Sequence, residues 1–383
     1  MKKFFGLFLF FISGFSFAQS DSCSIRISLL TCTPGEELYT IFGHSAIRVV
    51  DRSANTDLVF NYGTFDFDDP NFYEKFVKGN LLYFVSVDSF PSFMWEYEYF
   101  KRGVTEQVIN ISCSEKHNLM AVLFENAKEE NRYYRYDFTH DNCTTRLRDM
   151  LEKISNRPML TKNIVPHKRT TFRHLLHEYL NKGGWNWVKL GMDILLGSPM
   201  DKKASNRDAM YLPDYLMKAF DSTVNNDQPL VGKKNLLIPE FVFSKSKSVF
   251  IPIVLFSTLF LFITLFSISK SSSWVKTFIA FDFFFFFVLG LMGMLLLFTW
   301  FGTSQPMFKN NFNLLLALPV HLPMAFMIFS KKRWVKKYFR FMYFFSIVFV
   351  GAWFLLPQQL NLALLPILGI VLVRSFYRAR NSH

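Results

Sequence analysis

Acidic residues are almost absent from the C-terminal third of the chain. Between Val249 and His383 the only carboxylate side chain belongs to Asp282, while Lys and Arg cluster between apolar runs. This composition is typical of a membrane domain rather than a soluble one. A large share of the formal net charge of +13 lies in these short loops. The excess therefore indicates membrane topology and argues against nucleic-acid binding.

The apolar run at the N-terminus is too short to be a membrane span. Lys2 and Lys3 precede a Phe/Leu/Ile run that ends at Ser16-Phe17-Ala18, a small-x-small pattern. Because crossing a bilayer takes roughly 20 apolar residues, the pattern predicts a signal peptide over residues 1–18, cleaved after Ala18. An uncleaved signal anchor is the alternative. In both cases the residues that follow are exported.

Cysteine is scarce, and all of it falls in the exported part: Cys23, Cys32, Cys113 and Cys143. An oxidising compartment permits disulfides there. If Cys143 is a working thiol, at most one pair forms among the other three, and their spacing does not choose it. No zinc-type spacing of cysteines or carboxylates completes the His174 and His177 pair, so we predict no metal and no cofactor.

Five apolar segments follow residue 245, at about 249–268, 276–300, 312–330, 338–356 and 360–373. All but the last are long enough to span; the fifth is either a tilted span or a re-entrant piece. The basic clusters at 331–340 and 374–380 belong on the cytoplasmic side, which puts everything before 249 outside. We therefore expect an exported domain at 19–245 and an inner-membrane domain of about five helices at 246–383.

Two polar groups interrupt the apolar segments. Asp282 and His321 are costly in hydrocarbon unless they are paired or face water, and they can meet each other. A structural contact between helices and a role in handling head groups or protons are both open interpretations. Pro319 and Pro323 flank His321 and predict a broken or kinked helix there.

The exported half is predicted to be α+β. Residues 24–30, 45–50 and 58–62 carry β-branched and apolar residues in strand patterns, and the polar stretch 51–57 joins the last two as a hairpin. Residues 115–130 and 144–154 carry apolar residues at helical spacing. Ser114 and either Asp141 or Asn142 are the expected N-caps.

Cys143 is predicted to lie at the N-terminus of the second of these helices. The helix dipole and the unpaired first-turn N–H groups lower a thiol pKa there, and the same N–H groups can hold an acyl-transfer oxyanion. A cysteine at this place is therefore a candidate nucleophile. A buried or disulfide-bonded structural cysteine is the alternative.

A thiol nucleophile needs a base, and His44 at the opening of the 45–50 strand is our candidate. In the predicted hairpin His44 lies roughly opposite residues 61–63, so Asn61 is the candidate that orients the imidazole. A register slip of one residue would bring Tyr62 instead. Asp66, Asp68 and the other histidines (His140, His167, His174 and His177) are weaker candidates.

Four segments carry a family resemblance: 42–49 (FGHSAIRV), 61–67 (NYGTFDF), 141–149 (DNCTTRLRD) and 193–216. Together with the polytopic tail they resemble the Lnb-type lipoprotein N-acyltransferases of Bacteroides-like bacteria. The order of histidine before cysteine is also similar to circularly permuted papain-like enzymes of the NlpC and lecithin:retinol acyltransferase groups. The resemblance implies Cys143 as nucleophile and His44 as base. It offers no clear match for Asn61.

The resemblance implies acyl transfer from a membrane phospholipid, through a Cys143 thioester, to the α-amine of the lipid-modified N-terminal cysteine of diacylglyceryl lipoproteins. Two alternatives stay open. One is a papain-like cell-wall peptidase or amidase, which has no obvious need for five spans; the other is a membrane sensor or scaffold that only binds. The stretch 90–95 (FPSFMW) is either an acyl-chain contact or part of a core helix, and residues 189–216 are expected to pack over the site.

Overall fold

A computed structural model describes residues 23–156, 161–225, 228–241, 251–269, 271–330 and 332–380. The predicted signal peptide lies outside the described residues. Seven strands form one antiparallel sheet in the order β6-β4-β3-β2-β1-β5-β9. The strands are β1 Ile25–Cys32, β2 His44–Asp51, β3 Thr56–Thr64, β4 Leu82–Ser89, β5 Val104–Ile109, β6 Tyr133–Arg135 and β9 Val231–Ile238, with a small separate pair, β7 Val224–Asn225 and β8 Gln228–Pro229.

The predicted hairpin is confirmed as β2 and β3. Val50 lies opposite Asp57 and Ile47 opposite Phe60, so the turn is centred on the polar stretch between the strands. Asn55 supplies the left-handed turn residue with φ of 53°. Asparagine tolerates this conformation better than most residues because its short side chain hydrogen-bonds locally.

Helices cover both faces of the sheet. The helices of this half are α1 Phe72–Lys78, α2 Phe90–Tyr99, α3 Cys113–Asn126, α4 Cys143–Ser155, α5 Phe172–Lys182, α6 Asn186–Leu195, α7 Asn206–Ala209 and α8 Pro213–Ser222. Because side chains alternate along a strand, β1 sends Ile27 and Leu29 into the core under α3, α4 and α8 and sends Leu30 to the other face, under α2. The α+β prediction is confirmed.

Helix α2 contains residues 90–95, for which the sequence left open an acyl-chain contact or a place in a core helix. Its Phe93 and Tyr97 are buried in the smaller core, whereas Trp95 points to solvent.

The N-cap expected at Ser114 is wrong: Ser112 caps α3 in a reciprocal box with Glu115, and a serine inside the first turn cannot serve as the cap. A disulfide joins Cys23 to Cys113 at the start of α3, and Cys32 and Cys143 are buried free thiols.

The second half is helical, with α9 Pro252–Ser267, α10 Ser272–Phe301, α11 His321–Phe326, α12 Arg333–Ala352 and α13 Leu365–Arg380. Among the described residues, three segments are long and apolar enough to cross a membrane: Ser273–Phe301, Arg333–Leu355 and Leu362–Arg380. The fifth predicted segment is thus a continuous candidate span. The first is a shorter apolar helix.

The third predicted segment is broken, as Pro319 and Pro323 indicated. It consists of 3₁₀ turns at Phe312–Leu315 and Met327–Phe329 on either side of the short α11. Proline removes a backbone donor, so a break is expected where two prolines fall close together. This irregular backbone packs along α10, whose Gly290 and Gly293 let it approach closely: a Cβ at Gly293 would lie 2.1 Å from the Ala317 carbonyl oxygen.

Asp282 and His321 do not meet. The Asp282 carboxylate receives Arg374 in a bidentate pair at 2.6 and 2.9 Å and Arg378 at 2.6 Å, and all three belong to neighbouring helices α10 and α13. His321 bonds instead to the Tyr338 hydroxyl of α12. The pairing follows from packing between helices, which the apolar pattern of each segment does not encode.

Candidate active site

The β2 strand begins at His44 because the preceding residue permits a sharp entry. Gly43 has φ of 78°, and a Cβ there would lie 2.7 Å from the carbonyl oxygen of Cys32. Only glycine fits both the left-handed backbone and the close approach. The turn delivers His44 to the end of the strand, directly opposite Cys32 on β1.

Cys143 is the first residue of α4, next to its N-cap. The Asn142 side-chain oxygen accepts from the backbone N–H groups of Thr144 and Thr145, both at 2.8 Å. The other end of the same amide donates to the carbonyl oxygens of Phe138 and Tyr211, also at 2.8 Å. Asn142, itself buried, therefore fixes the helix start in place and with it the thiol.

The Cys143 thiol is buried yet electrostatically activated. Burial by itself raises its pKa, but the charge of His44 and a hydrogen bond with it, helped by the Thr144 hydroxyl and the Ser45 backbone, outweigh burial and lower the pKa from 9.0 to about 7. Cys32 shows the contrast, since burial raises its pKa to about 12. Of the two free thiols, Cys143 alone has the thiolate character of a nucleophile.

Behind His44 runs a chain of hydrogen bonds. The His44 Nε2 atom lies 3.2 Å from the Asn61 Oδ1 atom. The Asn61 amide then donates to Asp88 Oδ2 at 2.9 Å, and the Ser86 hydroxyl donates to the same oxygen at 3.2 Å. Asp88 fixes the orientation of the Asn61 amide, because only its NH₂ end can donate to a carboxylate. The amide oxygen is thereby turned towards His44.

Gly63 lies beside Cys143. It has φ of 90° and lies where the pairing of β3 with β4 shifts register. A Cβ at this position would lie 3.6 Å from the Cys143 Cβ and 3.4 Å from the Tyr136 ring. The bulge therefore carries a backbone segment without a side chain past the thiol, with Tyr136 as the neighbouring wall.

The other candidates lie elsewhere. The Tyr62 side chain lies on the face of β3 opposite to that of Asn61, and its hydroxyl accepts a hydrogen bond from Asn126 at 2.8 Å. Asp66 accepts from the backbone of Asp68 in an exposed loop. His140 is exposed and bonds to Asp137 and Thr139. The structure thus places Asn61, and not Tyr62, beside His44.

Asp88 was missed by the sequence reasoning. It lies on β4 in the stretch LYFVSVDS, whose residues from Val85 to Asp88 alternate apolar and polar and so carry a strand signal. A strand predicted there and paired with the hairpin would have placed Asp88 next to the strand that carries Asn61. Thr144 follows Cys143 in the chain and Ser45 follows His44, and both contact the thiol. Apart from these neighbouring positions, nothing in the sequence indicated their role.

The segment 189–216 has two different parts. Residues Tyr211 to Pro213 pack against the site: Tyr211 holds Asn142, and Pro213 would touch a Cβ at Gly43 at 3.5 Å. The part around Asp193 is an ionic junction instead. Asp193 is buried and bonds at 2.8 Å to each of three partners: Arg173, His177 and, from the helical half, Asn361.

His177 is therefore committed to Asp193 rather than to a site with His174, whose ring nitrogen lies 3.3 Å from the Thr171 backbone nitrogen. Within the described ranges, Cys23, Cys113 and His117 form a group with metal-ligand spacing. The two sulfurs are joined in the disulfide, which removes the thiolates that a metal would need.

Comparison with known protein families gives two matches. Residues 14–178 match the model described as the Lnb N-terminal periplasmic domain. Residues 244–382 match the model described as the Lnb transmembrane domain. Together they account for most of the chain, including both His44 and Cys143. No curated protein and no solved structure matches it.

Proposed function

Because the chain belongs to the Lnb family, with a periplasmic N-terminal domain and a multi-span transmembrane domain, we propose that it is a lipoprotein N-acyltransferase that works through Cys143. The donor is a membrane phospholipid and the acceptor is the α-amine of the lipid-modified N-terminal cysteine of a diacylglyceryl lipoprotein. One observation carries the proposal: a buried thiol at a helix N-terminus, with a lowered pKa, faces an imidazole held by an amide.

The first half-reaction forms a thioester. The Cys143 thiolate attacks the ester carbonyl carbon of the donor, and the tetrahedral intermediate collapses by breaking the carbon–oxygen bond to the glycerol backbone. His44, protonated by the thiol, gives its proton to the departing alkoxide, and lysophospholipid leaves. The acyl chain then stays on Cys143 while the acceptor enters.

The second half-reaction makes the amide. The lipoprotein amine attacks the thioester carbonyl, His44 accepts the proton that the amine loses, and Cys143 departs. Asn61 stabilises the imidazolium formed in each half by accepting its N–H, and Asp88 holds Asn61 in that orientation. The cycle balances without any cofactor or oxidant.

The oxyanion of each intermediate requires hydrogen-bond donors. The Asn142 cap already occupies the Thr144 and Thr145 N–H groups, so the first turn of α4 cannot offer them as the sequence suggested. The N–H of Cys143 itself remains at the helix N-terminus, and we assign it to the oxyanion.

The architecture supports this function in two ways. An antiparallel sheet with a cysteine-bearing helix packed on the histidine strand fits the permuted papain-like arrangement, which we propose for residues 19–245. We also propose that all five apolar segments of residues 246–383 cross the inner membrane, with basic loops inside. Donor and acceptor both reside in that membrane, so tethering the site there raises the effective concentration of each.

The test is mass spectrometry of lipoprotein N-terminal peptides from cells that carry the wild-type chain, the Cys143→Ala variant, or no copy. N-acylation is expected with the wild type alone. The Cys32→Ala variant is the matched control, because it removes the other buried free thiol and should leave N-acylation in place.

Two results would overturn the proposal. N-acylation that persists with Cys143→Ala removes Cys143 as the nucleophile. N-acylation that persists without any copy removes the transferase function and directs attention to peptidoglycan fragments, the products of the alternative peptidase or amidase.

A further inference from the structure

A continuous aromatic surface connects the candidate active site to the membrane half. We call it the aromatic platform. It consists of the exposed rings of Tyr39, Phe67, Tyr73 and Phe76, packed on half-buried Phe65 and buried Phe72. Neighbouring rings touch in sequence, with centroids 6.0 Å apart for Tyr39 and Phe65, 4.9 Å for Phe65 and Phe67, and 5.1 Å for Phe67 and Phe72. Tyr73 is 80% exposed and Phe67 is 62% exposed. An apolar patch of this continuity marks an interaction surface.

Hydrogen bonds fix the height of the platform relative to the membrane. The Ser304 N–H donates to the Lys78 carbonyl oxygen at 3.2 Å, and the Ser304 hydroxyl donates to that of Gly79 at 3.0 Å. Ser304 follows the outer end of α10 by three residues, and that end carries stacked Trp300 and Phe301 rings. Aromatic residues at the end of a span mark the membrane–water interface, so α1 lies at that level.

The inner end of the platform reaches the thiol. The Phe65 ring contacts Tyr83 at 5.4 Å, and Tyr83 stacks on Tyr136 at 4.5 Å. Tyr136 is the wall that adjoins Gly63 and Cys143. Gln305, next to Ser304, donates to the Tyr136 carbonyl oxygen at 3.4 Å, which ties this wall to the same outer loop.

Charges on α1 do not oppose contact with lipid. Lys75 pairs with Asp69, and Lys78 pairs with Glu74 at 2.6 Å, so each charge on α1 has a partner, while Asp66 and Asp68 in the preceding loop add two exposed carboxylates. A short helix with exposed aromatics and internally paired charges suits the interfacial zone, where rings enter the acyl boundary while charged heads stay in water.

We propose that the aromatic platform rests in the outer leaflet and seats the acyl chains of the donor phospholipid, leading its ester past Tyr83 and Tyr136 to Cys143. This inference rests on the proposed function for the identity of the donor. It adds the surface through which the donor enters and the side of the sheet from which it comes.

Photocrosslinking tests the location independently of catalysis. The full chain, carrying p-benzoylphenylalanine at Tyr73, is placed in nanodiscs of alkyne-tagged phosphatidylethanolamine and irradiated. The matched control carries the same group at Trp95, which is 65% exposed on α2 over the opposite face of the sheet. We expect at least a fivefold excess of lipid adducts at Tyr73. Equal yields at both positions would overturn the proposal.

A second measurement tests use of the surface. The Tyr73→Ser/Phe76→Ser variant should lose at least tenfold in acyl transfer from phospholipid, whereas alkylation of Cys143 by iodoacetamide should keep its rate, since that reagent is small and water-soluble. Trp95→Ser/Tyr99→Ser is the matched control and should keep both. Unchanged transfer in the Tyr73→Ser/Phe76→Ser variant would contradict the inference. An altered alkylation rate would indicate misfolding, and crosslinking in the otherwise unchanged chain would then decide.

The two proposals can fail separately. If Cys143→Ala cells keep N-acylation while Tyr73 still crosslinks lipid, the function is wrong and the lipid contact stands. If Cys143 is essential but Tyr73 gives no excess of adducts, the function stands and the donor enters by another surface.

Discussion

Buried polar side chains serve different purposes in the two halves of this chain. In the helical half, the Asp282 carboxylate is fully buried, and both of its oxygens accept hydrogen bonds from Arg374 and Arg378. In the sheet half, the chain from Asp88 through Asn61 and His44 ends at a thiol that has no fixed covalent partner. The Asp282 cluster joins helices α10 and α13, whereas the open-ended chain of hydrogen bonds leaves a reactive thiol available.

The largest expected effect is loss of activity when His44, the residue next to the Cys143 thiol in this chain of hydrogen bonds, is removed. His44→Ala should lower acyl transfer by about 10² to 10⁴-fold, the usual contribution of a positioned acid–base group. Its thermal midpoint should stay near that of the wild type, because without His44 the Cys143 pKa rises and the buried thiol becomes neutral. The assay is single-turnover thioester formation on the purified chain. His140→Ala, at an exposed histidine, is the control, and a His44→Ala variant that acylates normally would remove His44 as the base.

Removing Asp282 from its cluster should lower the stability of the protein rather than its activity. Asp282→Ala removes the carboxylate that pairs with buried Arg374 and half-buried Arg378, and removal of one member of a buried ion pair costs about 3–5 kcal/mol. Membrane abundance and the thermal midpoint in detergent should both fall. Glu125→Ala breaks an exposed pair with Lys128 and should leave both unchanged. Equal midpoints for Asp282→Ala and wild type would show that the cluster holds nothing together.

Removing Asn61, whose amide orients the imidazole, should have an intermediate effect on the rate. Asn61→Ala frees the imidazole to turn, and a misplaced catalytic group costs roughly 10²-fold in rate. The expected signature is a lower kcat at nearly unchanged KM, since the donor surface is untouched. A change confined to KM would place Asn61 in substrate binding rather than in positioning.

One step further from the thiol, Asp88→Ala removes a hydrogen bond worth about 1 kcal/mol, which corresponds to roughly a fivefold loss of rate. Asp88→Asn is the conservative counterpart. Its amide oxygen can still accept from Asn61, so it should recover most of the activity. If Asn and Ala at this position behave alike, the charge of Asp88 matters and not only its acceptor oxygen.

The smallest effect is a shift along the pH axis. Since the pKa of Cys143 is lowered from 9.0 to about 7, the thiolate fraction between pH 7 and 9 exceeds that of an ordinary cysteine. The iodoacetamide alkylation rate should therefore rise through a midpoint near pH 7 and level off above it. His44→Ala should move the midpoint upward. A midpoint near 9 in the wild type would mean that His44 does not activate the thiol.

Local patterns went far in the sheet half. The hairpin and its polar turn were predicted from the sequence, because alternating strands on either side of a polar stretch form a local pattern. The sequence left the register open by one residue, between Asn61 and Tyr62, and the structure places Asn61 beside His44. The β4 strand was not identified, so Asp88 stayed out of view although its alternation was present in the sequence.

The sequence by itself determined the division of the chain, its orientation, and which thiol stands at a helix start, because hydropathy, charge and capping are local properties. Only the tertiary structure decided which cysteines pair, that Asp282 meets Arg374 rather than His321, that Asp88 supports Asn61, and that α1 lies beside the outer loop. Each of these joins residues far apart in the chain, and their contact depends on how helices and strands pack, which no local pattern encodes.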